Sequence, residues 1–374
     1  MRAGWQSKPF EDCIDKVTYT TKIQRKDFLD AGAFPVVSQE DAFINGYWDS
    51  ADDVFLVETP LVIFGDHTKV LKYIDFDFVL GADGVKLLPP KAFLVPKFFY
   101  YQLQTAQLDS LGYARHYKLL KELKIKYPDT AEQHRIVAIL DEVFDGIATA
   151  KANAEKNLQN ARALFESHLQ SVFTERGDGW KQKTLEEIAT AFGRGKSRHR
   201  PRNAPHLYGG KFPFVQTGDI RNADHVITEY SQTYSDAGLT QSKLWPKGTI
   251  CITIAANIAE TAILGFDACF PDSVIGVVAN PKEADVDFIE YLLQSFKARI
   301  QSMGKGSAQA NINMGTFENE RFPFPPVAEQ KAIVAKLDSL NEETQRLETI
   351  YQQKLTALDD LKKSLLHQAF SGQL

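Results

Sequence analysis

The densest run of side chains able to do chemistry in this sequence is Arg194, Lys196, Arg198, His199, Arg200 and Arg202, set among Gly, Pro, Ser and Asn. No acidic residue interrupts the chain between Glu187 and Asp219. Such a loop can neutralise phosphates, and its arginines can bond the guanine edge in a major groove. A charge run alone is more commonly a solvated face, but its place in a duplicated segment favours DNA contact. A second loop, GKGSAQANIN at 304–313, offers Lys305, Gln309 and Asn311, whose amides fit the adenine edge or, equally, cap turns. At the corresponding place earlier in the chain stands GYARHYK at 112–118, with Arg115, His116 and Lys118. The segment FGDHTKVLKYIDF adds His67, Lys69 and Lys72. Asp66 beside His67 lacks a third ligand at a recognisable spacing, so a satisfied surface histidine is favoured over a metal site.

Bond-making chemistry is excluded where its motifs would stand. The chain has no GxxxxGK[ST] phosphate loop, no HExxH, no GxSxG and no [DNS]PP[YFW], and Phe192-Gly193-Arg194-Gly195 is too short for a cofactor loop. No catalytic residue and no metal ligand is assigned. Cys13, Cys251 and Cys269 form no CxxC pair or zinc spacing and are expected to be reduced, buried and structural. With 43 basic against 48 acidic side chains, a net charge of −5, the chain cannot coat nucleic acid by bulk attraction, so any contact must be local. The amino-terminal stretch is not the apolar segment of a signal peptide, and no run of about 18 apolar residues occurs, so a cytoplasmic protein without a membrane span is expected.

The elements that must position these loops are announced by an internal repeat. AEQHRIVAILD at 131–141 and AEQKAIVAKLD at 328–338 share eight of eleven residues at an offset of 197. The offset goes on to pair Leu158 with Leu355, Leu164 with Leu361, Leu169 with Leu366 and Phe173 with Phe370. Apolar residues step by three or four through Ile136, Leu140, Val143, Ile147 and Leu158 in the first copy, and through Ile333, Leu337, Leu340, Leu347 and Leu355 in the second. That is the seam of a helix packed along one partner. Two consecutive steps of four recur at the same place in both copies, a slip that relaxes a supercoil. No proline interrupts either stretch, so each can be one rod of roughly 65 Å at 1.5 Å per residue. Thr130 with Gln133 has capping-box spacing at the first start, whereas Val327 offers no cap oxygen at the second.

A weaker match, Trp5 with Trp180 at an offset of 175, extends the duplication to the start of each globular part. The layout is therefore head, helix, head, helix: residues 1–129, 130–175, 176–326 and 327–374. From this connectivity the helices should be antiparallel, with one head near each end, as a pseudo-two-fold circular repeat. Short β-branched and aromatic runs at 53–58, 61–64, 249–254 and 274–279 predict strands, and helices are expected at 287–302 and 97–111. The fold class is α+β, two mixed heads on two long coiled-coil helices. Residues 131–179 hold five basic and eight acidic side chains, which makes the helix the poorer phosphate contact.

With the repeat in hand, the chain resembles the specificity subunits of type I restriction-modification systems over essentially its whole length. The residues that carry the resemblance are Pro325-Pro326 with Glu329-Gln330, Gly218-Asp219-Ile220, Leu244, and Pro246-Lys247-Gly248-Thr249-Ile250. Ser273-Val274-Ile275-Gly276, Gln309 with Asn311-Ile312, and the terminal Phe370-Ser371-Gly372-Gln373-Leu374 add to them. The first head departs from the pattern, with Val36-Val37-Ser38 where Gly-Asp-Ile would stand. The resemblance implies two target recognition domains, each binding half of an asymmetric bipartite site in double-stranded DNA. It implies helices that set the spacer and dock two methyltransferase subunits, and further motor and nuclease subunits. S-adenosylmethionine, ATP and Mg2+ would be used by those partners, none by this chain. The alternatives are a coiled-coil scaffold without DNA binding, or a head with its own nuclease or methyltransferase activity.

Overall fold

In the computed structural model, residues 4–374 are described except 82–83, 110–111, 113, 176, 178, 200, 256–257, 305–311 and 313. The chain forms two compact units, Met1–Lys156 with Tyr351–Leu374, and Asn157–Ile350. Each is α+β and contains a section of both long helices, Thr130–Thr174 and Val327–Ser371, of 45 residues each.

In the first unit, strand Gln6–Pro9 pairs antiparallel with Lys124–Tyr127 directly before the first long helix. The head proper has a three-stranded antiparallel sheet, with Leu61–Gly65 between Leu71–Ile74 and Val85–Leu88. A mixed sheet is built on Phe78–Gly81, flanked by Lys22–Ile23, Phe34–Val37 and Val54–Phe55. Leu61–Gly65 is buried at every position, which is why its sequence is a continuous apolar run rather than an alternating one. Helix Pro96–Gln104 covers this sheet, and its Phe98 and Phe99 share a core with Phe10, Ile136, Leu140, Leu366 and Ala369.

The second unit repeats the frame. Lys181–Lys183 pairs antiparallel with Phe322–Phe324 before the second long helix. Five strands, in the order Ala189–Arg194, Val274–Ala279, Ile250–Thr253, Thr261–Leu264 and Val226–Ile227, lie beside a four-stranded sheet built on Tyr208–Phe214. Helix Val286–Gly304 joins Phe288 and Leu292 to a core with Leu169, Phe173, Val334 and Leu337.

Three expectations need correction. The strand expected at 53–58 is a 3-10 turn, Ala51–Asp53, followed by Val54–Phe55 alone; the Val57 amide is captured by Asp77 Oδ1 at 2.7 Å and Leu56 is exposed. The helix expected at 97–111 stops at Gln104, where the Thr105 hydroxyl donates to the Gln102 carbonyl, and a separate short helix spans Tyr117–Lys121. The cap of the first long helix is Asp129, whose Oδ1 accepts the Glu132 amide at 2.9 Å, while Thr130 lies inside the helix. The three cysteines are free and buried, and burial pushes the Cys13 thiol up to about 11. Among the described residues no helix is long and apolar enough to cross a membrane.

Candidate nucleic-acid interface

The heads are fixed to the long helices by a duplicated glutamine. Gln133 is fully buried; its Oε1 accepts the Val95 amide at 2.8 Å, and its Nε2 donates to the carbonyls of Phe93 at 2.9 Å and Pro128 at 3.0 Å. Gln330, at the repeat offset, does the same with the Asp285 amide at 2.8 Å and the carbonyls of Pro325 at 2.8 Å and Glu283 at 3.3 Å. Each side chain therefore ties the start of the long helix to the start of the head helix. About two turns further along each long helix, Tyr101 donates to Asp141 at 2.5 Å and Tyr291 to Asp338 at 2.8 Å. Trp5 packs on Phe98 and Trp180 on Phe288, both at 6.2–6.3 Å between ring centroids.

In the second head, His225 Nε2 lies 3.0 Å from Asp287 Oδ1 and its Nδ1 2.7 Å from the fully buried Glu290. Burial disfavours the imidazolium, but the two carboxylates prevail and hold its pKa up at about 10. Its ring stacks on Tyr291 at 4.7 Å. Sequence reasoning missed this residue, because the two acids come from a helix some sixty positions away.

Of the seam residues, Ile136, Leu140, Ile147 and Leu337 are buried, and Val143, Leu158, Ile333, Leu340, Leu347 and Leu355 half-buried. Along the middle, the small residues Ala154, Ala161 and Thr344 are buried, and Ile147, at the repeat position of Thr344, is equally enclosed. Within each unit the two helix sections run antiparallel, with Ile136 and Leu140 meeting Leu366 and Ala369 in the first and Leu169 and Phe173 meeting Val334 and Leu337 in the second.

The basic run of the second head is divided by its partners. Arg194 Nε donates to the Asp272 carbonyl at 2.7 Å and Arg202 pairs with the Asp272 carboxylate at 2.7 Å, so these two guanidiniums brace the loop from either side. Gly195 between them has no room for a side chain, since a Cβ would stand 2.3 Å from the Phe270 carbonyl. Lys196 and Arg198 face solvent. The His199 amide donates to Gln241 at 3.0 Å, and its ring packs on His206 at 5.0 Å. Arg200 lies outside the described residues, as do Lys305, Gln309 and Asn311.

Lys243, which sequence reasoning did not single out, joins this surface. The Ser242 hydroxyl donates to the Lys196 carbonyl at 2.8 Å, and Lys243 Nζ sits 3.3 Å above the Trp245 ring. Burial and the neighbouring Lys196 charge lower its pKa. The local signal was faint, one lysine in a turn, and only the tertiary fold sets it beside Lys196.

In the first head the candidates separate into surface and scaffold. Arg115 and Lys118 are exposed. His67 is half-buried with its amide bonded to Gln39, and Lys69, in the left-handed region at φ 62°, reaches the Leu108 carbonyl at 3.4 Å. Lys72 and His116 are corrections to the DNA-contact expectation. Lys72 is 3% exposed and spends its ammonium on the carbonyls of Ala42 and Phe43 and on Asn45 Oδ1; burial, partly opposed by Glu40 and Asp41, lowers its pKa to about 8. His116 is 1% exposed, with amide and ring both against the Asp66 carbonyl. Asp66 itself takes the Tyr117 amide at 2.7 Å, so the Asp66–His67 pair organises loops, and the described residues contain no cluster able to hold a metal ion. Residues 25–58 carry two basic and eight acidic side chains, a net −6 that repels phosphate. Lys86 lies beside the loops that carry His67 and Arg115, 3.9 Å from Asp66.

Comparison with known proteins agrees with this duplicated architecture. The family described as "Type I restriction modification DNA specificity domain" matches residues 3–159 and 177–357. The chain is similar to the EcoR124I/EcoR124II specificity subunit of Escherichia coli, 26% identical over 358 residues, 88% of this chain and 85% of that one. It is also similar to the StySPI specificity subunit of Salmonella potsdam, 22% identical over 420 residues, 99% of this chain and 89% of that one. Two solved structures share the fold at 18% identity. One, from work on complex assembly and conformational transition of the type I R-M system, has a TM-score of 0.78 and covers 100% of this chain and 99% of its own. The other, the HsdS subunit from Thermoanaerobacter tengcongensis, has a TM-score of 0.58 and covers 100% and 98%. With both halves matched in sequence and the frame matched in structure, the chain belongs to the type I restriction-modification DNA specificity family.

Proposed function

We propose that this chain reads an asymmetric bipartite DNA site, one half-site per head, while its long helices set the spacer and dock two methyltransferase subunits. The observation that carries this reading is a duplicated frame bearing unlike heads. Gln133 and Gln330 fix the two heads in the same way, yet the second presents Lys196, Arg198 and Lys243 and the first presents Arg115 and Lys118 beside an acidic flank. Equivalent placement with different polar chemistry suits two different half-sites, because phosphate contacts position a protein and side chains of particular type and placement read bases. Two copies of one partner are supported by Leu164 and Leu361, which occupy the same repeat position and are 60% and 45% exposed. In such a complex the methyltransferase subunits would use S-adenosylmethionine on an adenine flipped from the duplex. The motor and nuclease subunits would use ATP and Mg2+. This chain would bind DNA and hold none of these cofactors.

The test is an exchange of residues 181–324 for the corresponding head of a related specificity subunit, followed by methylome sequencing of cells that also carry the partner subunits. One half-site should change and the other persist. A change in both half-sites, or in neither, overturns the reading.

A further inference from the structure

Each unit contains an ion pair between the two long helices, and the two pairs are related by the repeat in an unexpected way. In the first unit Lys151 Nζ lies 2.8 Å from Asp359 Oδ1; in the second, Arg162 Nη2 lies 2.9 Å from Glu348 Oε2. The offset of 197 carries Lys151 onto Glu348 and Arg162 onto Asp359. The repeat thus keeps the place of each pair and exchanges its sign. The first helix is cationic at both positions and the second anionic at both.

A duplicated helix always has a rival for its intrachain partner, the same helix in a second copy of the chain. If two first helices met in the native register, Lys151 would face Arg162 twice. If two second helices met, Glu348 would face Asp359 twice. The apolar seam opposes this only in part: Ala150, Ala154 and Ala161 are replaced by Leu347, Tyr351 and Leu358 at the equivalent positions, but Ile136 and Ile333, Leu140 and Leu337, and Leu158 and Leu355 are identical. Charged pairs beside a permissive seam are the means by which packed helices choose partners. The pairs are partly exposed, with side-chain exposures of 31–59%, so each adds little to stability. In the choice between partners, however, the lost attraction and the new repulsion act together, at two places. The hydrogen bond from Lys151 also holds the Asp359 carboxyl below its ordinary range, as an engaged pair should.

We propose that these sign-exchanged pairs direct each long helix to the other kind and reject its own kind in a second copy, so that every assembled molecule holds one head of each type. The consequence for the DNA target rests on the reading of one half-site per head: like-with-like pairing would join identical heads and select a symmetric site.

The decisive variant is the full-length double substitution Arg162→Glu/Glu348→Arg. It leaves both intrachain pairs attractive but makes like-with-like pairing attractive as well. Two differently tagged copies are co-expressed, and mixed dimers are quantified by tandem affinity purification and light scattering. The expected result is an unfolding midpoint close to wild type together with a rise in mixed dimers on the order of ten-fold. The single Arg162→Glu variant should instead lower the midpoint, since it sets two carboxylates opposite each other. If the double variant forms no more mixed dimer than wild type, the proposal is overturned. This readout involves no DNA, so it can fail while the DNA reading stands. Failure of the DNA reading would show separately, as absence of sequence-specific methylation with the wild-type chain.

Discussion

At the scale of single residues, the fold decides which charges are available and which are already engaged. His225 is held protonated by Asp287 and Glu290, its pKa raised from an ordinary 6.5 to about 10. A group raised on folding contributes its full stability below the unfolded value and loses it as pH rises through the folded one. The second unit should therefore unfold at progressively lower temperature between about pH 6.5 and pH 10, as followed by thermal denaturation. His225→Gln should be less stable than wild type at pH 6.5 and should flatten that slope; a wild-type slope retained in the variant would assign the effect elsewhere. The basic loop makes the same point without titration. Arg194 and Arg202 look equivalent to Lys196 and Arg198 in sequence, yet Asp272 engages the first two and leaves the second two facing solvent.

At the scale of elements, the long helices were legible because their periodicity is written within one stretch of chain and each copy repeats the other. The role of the repeated glutamine was not, since a Gln in the first turn of a helix reads as a capping residue. In the structure it binds the entry to a head helix some forty residues upstream in each unit. Gln133→Ala would leave the Val95 amide and the carbonyls of Phe93 and Pro128 without their partner. A loss of about 1–3 kcal/mol, the cost of leaving a buried polar group unpaired, is expected in urea unfolding of the first unit. Gln330→Ala should act likewise on the second unit. Amide exchange localises the effect: the Val95 amide should lose protection only in the first variant and the Asp285 amide only in the second. Equal loss at both sites would contradict the view that each glutamine serves its own unit.

At the scale of the whole molecule, the proposed function treats the helices as a spacer of defined length. Insertion of one heptad at matched points in both long helices keeps the seam in phase and adds about 10 Å at 1.5 Å per residue. At about 3.4 Å per base pair, the unspecific gap in the target should lengthen by about three base pairs, read from the methylated sites. A variant that folds and methylates at the original spacing would show that the helices do not set the gap. The charge-exchanged pairs belong to this scale too, because they govern which helices associate rather than how strongly one pair is held.

The sequence by itself determined the duplicated frame: two long helices, three cysteines without a pairing pattern and a charge too balanced for bulk nucleic-acid binding. These follow from patterns complete within short windows. Only the tertiary structure decided that Lys72 and His116 are scaffold, that Lys243 joins Lys196, and that Lys151 pairs with Asp359 and Arg162 with Glu348 across the two helices. The physical reason is that the availability of a charge depends on burial and on the nearest opposite or like charge, and in each of these cases that neighbour is supplied by a segment distant in the chain.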